Sequence, residues 1–197
     1  MPGIDYEAEN IGLGKGNGEI GGYLYRAPIG TTLPTDATTA LGSDFVFVSV
    51  ISRDGVTTAH ESEVIEENDW ADKPIFTEVT NERVRKTMTL LSNTMEAAKC
   101  KYGDTAVTGT ASAFSVKHGL NAPREEYVYV WETLINKKTK KRSVMPRGKV
   151  TANDNVQEQP GGVLGAPITI TGLYDDTADC SLTDFYAVTT TTPVVGG

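Results

Sequence analysis

The stretch that most constrains the fold is residues 30–57, where a turn-rich segment leads into an uninterrupted apolar run. Residues 45–51 (FVFVSVI) alternate as a β-strand does, and the pair Asp54-Gly55 that follows predicts a tight turn. Both faces of this strand carry large apolar side chains: Phe45, Phe47 and Ile51 on one face, and Val46, Val48 and Val50 on the other. Such a strand needs cover on both sides, either from its own domain or from a second copy of the protein.

Similar alternation along the rest of the chain predicts a mainly β fold with long loops. The longest and most apolar of the other runs is residues 127–135 (YVYVWETLI), which again carries apolar side chains on both faces. Shorter strands are predicted at residues 20–28, 61–67, 83–91, 111–117, 167–174 and 185–188, with a return strand beginning at residues 74–79.

One α-helix is predicted, at residues 94–102. Asn93 is placed to cap it, Glu96 completes a capping box three residues later, and Gly103 is placed to end it. Its apolar stripe is predicted to cover one face of a sheet, and the stripe consists of Leu91, Met95, Ala98 and Tyr102.

Charge is segregated along the chain. Residues 61–67 form an acidic strand that leads into a loop with Trp70 at its tip, and the next strand begins with Arg83 and Arg85, so that opposite charges can pair across an antiparallel ladder. Residues 137–149 form a basic block that contains no acidic residue. The block is open to three interpretations: a solvated hairpin tip, a docking surface for an acidic partner, or a nucleic-acid patch.

The length of 197 residues suits one domain, predicted at residues 20–190, between a flexible N-terminal arm at residues 1–19 and a short tail at residues 191–197. A formal net charge of −8 argues against wrapping nucleic acid. No apolar run is long enough to span a bilayer, so we expect no membrane binding by this chain.

The sequence carries no catalytic, cofactor or metal-binding signature. His60 and His118 lack the partner spacing of a triad or zinc site, and Cys100 and Cys180 are expected to be reduced thiols. Adjacent carboxylates such as Glu66 and Glu67 would point to opposite faces of a strand. An enzyme is therefore not expected, and no cofactor is assigned.

Six segments resemble, in order, the major tail protein, or tail tube protein, of long non-contractile-tailed bacteriophages. They are APIGTTLPTDATTAL at 27–41, ISRDGVT at 51–57, the acidic strand and Trp loop at 61–70, RVRKTMTLLSNTMEAAKCKYG at 83–103, MPRGKV at 145–150, and APITITGLYDD at 166–176. The resemblance implies a β-sandwich or barrel-like subunit with one flanking helix, built as a single tube domain.

The resemblance further implies that subunits join into hexameric rings, which stack into a hollow tube of the virion tail through which the genome reaches the host. Implied partners are other copies of the chain, a tape measure protein, a tail terminator and distal tail proteins, with assembly in the host bacterial cytoplasm. Viral DNA would pass through the lumen without specific binding, which an acidic chain favours.

Candidate contact residues between subunits follow from exposed charge, aromatic content and two-faced strands; lumen-facing residues are not assigned. We expect the acidic region 61–72 and the basic block 137–149 to face different subunits as complementary surfaces. The candidates are Phe45, Phe47, Trp70, Tyr127, Tyr129, Glu61, Glu63, Glu67, Lys140, Lys141 and Arg142.

Three other interpretations stay open at the level of sequence. A monomeric all-β binding module, of the adhesin or carbohydrate-binding type, would use aromatics such as Trp70, Trp131, Tyr127 and Tyr129. An enzyme of unknown type and a subunit that caps or tapers the tail are the others.

Overall fold

The strands that the sequence predicts pair into a nearly continuous antiparallel sheet. The computed structural model describes residues 22–119, 123–135, 139–153, 155–156 and 164–188, and the predicted arm and tail lie outside these ranges. The elements in them are β1 (Tyr23–Pro28), β2 (Val46–Asn68), β3 (Pro74–Leu90), α1 (Met95–Tyr102), a 3-10 turn (Asp104–Ala106), β4 (Val107–Thr110), β5 (Ala113–Val116), β6 (Tyr127–Ile135), β7 (Thr139–Asn153), β8 (Ala166–Gly172) and β9 (Thr183–Val188).

The main sheet has the strand order β6-β1-β2-β3-β8-β7-β9, and β7 also pairs with β6. This extra pairing closes β6, β1, β2, β3, β8 and β7 into a barrel, from which β9 continues along one edge of β7. The hairpin β4–β5 forms a separate small sheet and replaces the single strand predicted at 111–117. The prediction of a mainly β, barrel-like fold with one helix is confirmed.

The barrel interior is the hydrophobic core. It contains Leu24, Val48, Ile51, Met88, Leu90, Tyr129, Trp131, Met145, Val150, Ile168 and Ile170, with Ala97 and Cys100 of the helix against it. On the opposite face of β6, Val128 and Val130 are also buried. The predicted bounds of this strand are confirmed, and the single subunit covers both of its faces.

The prediction that a turn at Asp54-Gly55 ends the second strand is wrong, because β2 runs through it to Asn68. Residues 52–55 form a bulge between the pairs Ile51↔Leu90 and Val56↔Met88, in which Gly55 adopts a φ of 84°. A positive-φ glycine serves a bulge as readily as a turn, so the local signal does not distinguish them.

A second bulge in β2 overturns the predicted two faces of residues 45–51. Leu24 pairs with Ser49 while Tyr25 pairs with Phe47, which leaves Val48 as an extra residue. Alternation is interrupted there, so Phe47 packs against Tyr23 and Tyr25 (ring centroids 6.2 and 5.7 Å apart) while Ile51 joins the core.

The helix begins one residue later than predicted and buries a different face. Thr94, not Asn93, is the cap, and its hydroxyl accepts a hydrogen bond from the Ala97 amide at 3.3 Å. Gly103, with a φ of 96°, ends the helix as predicted. The predicted stripe is wrong, because the buried helical residues are Ala97, Cys100 and Lys101.

A partly buried ion-pair network around Arg26 fixes the helix to the barrel. Arg26 on β1 lies 2.9 Å from both a Glu96 oxygen on the helix and an Asp104 oxygen in the 3-10 turn, and its guanidinium lies 4.5 Å from the Tyr127 ring centroid. Glu96 also pairs with Lys99 at 2.8 Å. The carboxylate expected to form a capping box is thus used to hold two elements together.

Helices in the described ranges are all too short or too polar to cross a membrane.

Candidate functional site: a projecting acidic hairpin

The longest strands, β2 and β3, extend beyond the barrel as a two-stranded arm. β1 pairs with β2 only between Val46 and Val50, and β8 pairs with β3 only from Val84 onward. From the pair Glu61↔Arg83 to the tip, the two strands pair only with each other among the described strands. We call this part, residues 61–83, the distal hairpin.

A compact turn closes the distal hairpin at residues 69–73. The Asp69 carboxylate accepts hydrogen bonds from the amides of Ala71 (2.7 Å) and Lys73 (3.0 Å), and the Asp69 amide donates to the Lys73 carbonyl. These bonds order the turn and leave Trp70 fully exposed at its tip, as the sequence predicted for this loop.

Both faces of the distal hairpin carry exposed apolar side chains. Val64 and Val79 lie opposite each other on one face, each 53% exposed, while Ile65 and Phe76 lie on the other face, each 48% exposed. Ile75 near the tip is 68% exposed. Apolar side chains clustered this way on a projecting element are typical of an interaction surface.

A bulge marks the base of the distal hairpin. Glu61 pairs with Arg83 but Glu63 pairs with Thr80, so one residue of β2 faces two of β3. Asn81 takes the left-handed conformation there, with a φ of 53°. Its side-chain nitrogen Nδ2 donates a hydrogen bond to a Glu63 carboxylate oxygen at 2.7 Å. The bulge therefore determines which side chains appear on each face farther out.

The distal hairpin carries most of the net negative charge of the protein. Residues 61–83 contain eight acidic and two basic residues, which leaves −6 of the formal net charge of −8 in this segment. The predicted charge pairing across the ladder is confirmed by the contact between Glu61 and Arg85 at 3.0 Å. Both side chains of that pair are well exposed, so the pair contributes little stability.

Three cations of the basic block, at residues 140–142, are by contrast bound inside the subunit. Arg142 is buried and binds Glu132 and the carbonyl oxygens of Asp36 and Thr39, the last two at 2.7 Å. Lys140 lies 3.4 Å from a Glu132 oxygen, and Lys141 lies 2.7 Å from an Asp184 oxygen.

Neither a solvated hairpin tip nor an open cationic docking surface therefore describes these three residues. Residues 137 and 138 lie outside the described ranges.

The aromatic candidates differ in how much surface they offer. Tyr129 is buried in the core and Tyr127 hydrogen-bonds to Asp104, while Phe45 and Phe47 are half-buried. Tyr129 and Arg142 thus present almost no surface to a neighbouring copy. Of the candidates, Trp70, Glu61, Glu63 and Glu67 are brought together, all on the distal hairpin.

The groups considered for chemistry are dispersed. His60 is exposed on β2, and His118 lies edge-on to Tyr102 with centroids 4.8 Å apart. Burial raises the pKa of the Cys100 thiol to about 11, which makes it unreactive. In the described ranges, no three His, Cys, Asp or Glu side chains are grouped to hold a metal ion.

Sequence reasoning found the acidic strand and the Trp loop but not the exposed apolar residues between them. The available signal was the pair Val64-Ile65 inside an acidic run, where adjacent apolar residues must point to opposite faces. Free strand edges on both sides depend on distant pairings and have no local signal.

Comparison with known proteins gives a family match over most of the chain. The model of a family described as "Phage tail tube protein" matches residues 20–194. No curated protein matches the chain. A solved structure that is similar is the tube-terminating cap of the anti-feeding prophage, determined by cryo-EM, at 9% identity and a TM-score of 0.43, covering 93% of this chain and 100% of that one.

Proposed function

The chain belongs to the phage tail tube protein family, and from this premise we propose that its copies form hexameric rings that stack into the hollow tube of a long, non-contractile tail. The protein is a structural component of a phage tail. The tube serves as the conduit for genome ejection into the host, is assembled in the host cytoplasm, and requires no catalysis by the subunit.

The observation that carries this proposal is the distal hairpin. Its exposed residues Val64, Val79, Ile65 and Phe76 and the fully exposed Trp70 form an apolar surface that the folded subunit leaves uncovered. Burial of apolar surface is favourable by about 25 cal/mol per Å² before the entropy cost of association, so a neighbouring subunit that covers these side chains stabilises the assembly. Contact with a neighbouring subunit is the simplest way to cover it.

The acidic balance of the chain supports the second part of the proposal. The net charge is −8, and Lys140, Lys141 and Arg142 are held by carboxylates or carbonyl oxygens of the same subunit, so the balance of charge disfavours retention of phosphate. DNA can then pass without being retained. The tape measure, tail terminator and distal tail proteins are the further partners that we propose for such a tube.

Electron microscopy of the purified protein, with two variants, tests the proposal. The wild type should form tubes, and Trp70→Ala should abolish or shorten them because it removes the most exposed aromatic side chain of the hairpin. Tyr174→Ala, at an aromatic that is 54% exposed outside the hairpin, is the matched control and should assemble as the wild type does.

A protein that stays at 21.1 kDa at every concentration would contradict the proposal and favour a monomeric all-β binding module.

A further inference from the structure

The distal hairpin combines two features that favour self-association. Its apolar side chains are exposed on both faces, and its strands have free edges, since residues 56–68 of β2 and 74–83 of β3 each lack a second strand neighbour among the described strands. Unpaired edges readily add a strand from another chain. With these two features alone, free subunits would be expected to assemble at low concentration.

The charge of the hairpin acts in the opposite direction. Six net negative charges lie within 23 residues, whereas the other 174 residues carry only two. The side-chain carboxylates of Glu66, Glu67 and Glu78 have no ion-pair or hydrogen-bond partner in the part of the chain that the structure describes. Two hairpins brought together, or one brought to an acidic neighbour, therefore repel each other.

Compensation by residues 140–142 of another copy is weak. Lys140 and Lys141 are already paired with Glu132 and Asp184, and Arg142 is buried. To bind a foreign hairpin, these side chains would have to leave partners in their own subunit. These contacts leave the described side chains of residues 140–142 little capacity to attract the distal hairpin of a second copy, and the complementarity expected from sequence stays a prediction.

We propose that the acidic side chains of the distal hairpin are an electrostatic gate, which sets the subunit concentration at which assembly starts. The inference rests on the proposed function, with a second copy of this chain as the partner. Electrostatic repulsion keeps free subunits apart at low ionic strength. Screening shortens its range from about 10 Å at 0.1 M salt to about 3 Å at 1 M, which leaves the apolar faces and free edges to act.

The test compares two variants of equal net charge. Glu66→Gln/Glu67→Gln/Glu78→Gln removes three unpaired hairpin charges, and Asp44→Asn/Glu125→Gln/Asp176→Asn removes three exposed charges from the rest of the subunit; both reduce the net charge from −8 to −5. The subunit concentration at which polymer first pellets is measured for each, between about 0.05 and 1 M NaCl.

For the wild type, that concentration should fall as salt rises. The hairpin variant should assemble at a roughly tenfold lower concentration at low salt and depend less on salt, while the control variant should follow the wild type. Equal behaviour of the two variants would assign the effect to overall net charge and overturn the gate. Tubes that form independently of salt and of hairpin charge would overturn the gate but leave the proposed function standing, whereas no polymer from any variant at any salt would overturn both.

Discussion

At the scale of single residues, two arginines form ion pairs of similar length in opposite environments. Arg26 is 7% exposed at its side chain and holds both Glu96 and Asp104, whereas Arg85 and Glu61 are 38% and 47% exposed. Removing one partner from a buried network leaves charge without compensation, while an exposed pair is screened by water. Location, more than distance, therefore determines what each pair contributes.

We expect Arg26→Met to lower the free energy of unfolding by roughly 2–4 kcal/mol, because it leaves Glu96 with Lys99 alone and Asp104 with only the Tyr127 hydroxyl. The matched change Arg85→Met should cost no more than about 1 kcal/mol. Urea denaturation of the unassembled subunit measures both. Equal losses would show that the network is not what fixes the helix to the barrel.

A pH-dependent contribution is expected from Lys86. Its ammonium lies inside the barrel, 3.2 Å from the Thr58 hydroxyl, 3.1 Å from the Ser143 hydroxyl and 5.1 Å from the centroid of the Trp131 ring. Burial lowers the pKa of Lys86 from 10.5 to about 8; Asp184 opposes this shift. Between pH 8 and pH 10.5 the unfolded chain binds more protons at Lys86 than the folded subunit does, so the free energy of unfolding rises with pH in that window. Below pH 8 the lysine is charged in both states, and its burial as a cation lowers the free energy of unfolding.

Lys86→Met should accordingly be more stable than the wild type at neutral pH. Its advantage should shrink by roughly 3 kcal/mol as pH rises through that window. Chemical denaturation at several pH values gives the difference in free energy of unfolding between variant and wild type. Cys100 titrates in both proteins, so its contribution cancels from this difference. A difference that is constant with pH would mean that Lys86 is not held as a buried cation.

At the scale of elements, the bulge at the base of the distal hairpin determines its faces. Asn81 can take a left-handed φ of 53° at modest cost, but a β-branched residue cannot. Asn81→Val should cost about 1–2 kcal/mol locally and shift the register, which separates Val64 from Val79. Cross-strand nuclear Overhauser effects between these two valines report the outcome.

Asn81→Gly is the control, because glycine keeps the positive φ without the side chain. It should preserve the contact between the valines although it loses the hydrogen bond to Glu63. If Asn81→Val also retained the contact, the bulge would not be what fixes the register.

Sequence patterns predict a strand well where the alternation of its side chains is not interrupted by an extra residue. Residues 127–135 were predicted at their observed bounds because alternation runs through them without a bulge. The prediction of which side chains of residues 45–51 share a face was wrong, because one extra residue, Val48, shifts the alternation. The helix stripe was wrong because Lys101 is buried with Ala97 and Cys100, although its charge suggests an exposed position.

At the scale of the whole molecule, closure of the barrel could not be predicted from local pattern. It depends on pairings between distant segments, such as β3 with β8 and β6 with β7. The same holds for the candidate site. Its acidic residues, Trp70 and the loop can be recognised locally, but the pairing of residues 140–142 inside the subunit cannot. Arg142 donates a hydrogen bond to the backbone carbonyl of Asp36, 106 residues away.

The contrast between barrel and arm predicts uneven hydrogen exchange. Amides of β6, which pairs on both sides with β1 and β7, should exchange only through global unfolding. Amides on the free edges of the distal hairpin should exchange with little protection in the isolated subunit. In polymerised protein, hairpin protection should rise while that of β6 stays the same; hairpin amides that stay unprotected in polymer would place the contact elsewhere.

The two tryptophans of the chain occupy opposite extremes, Trp70 bare in solvent and Trp131 enclosed in the core with its indole nitrogen 3.0 Å from the Met88 sulfur. The protein therefore contains two native optical probes whose emission reports different events. The emission of Trp70 should shift toward the blue and resist iodide quenching when subunits dock. The emission of Trp131 should change only when the subunit unfolds. With Trp70→Phe, the emission that remains follows folding alone, so docking and unfolding can be followed separately without any dye.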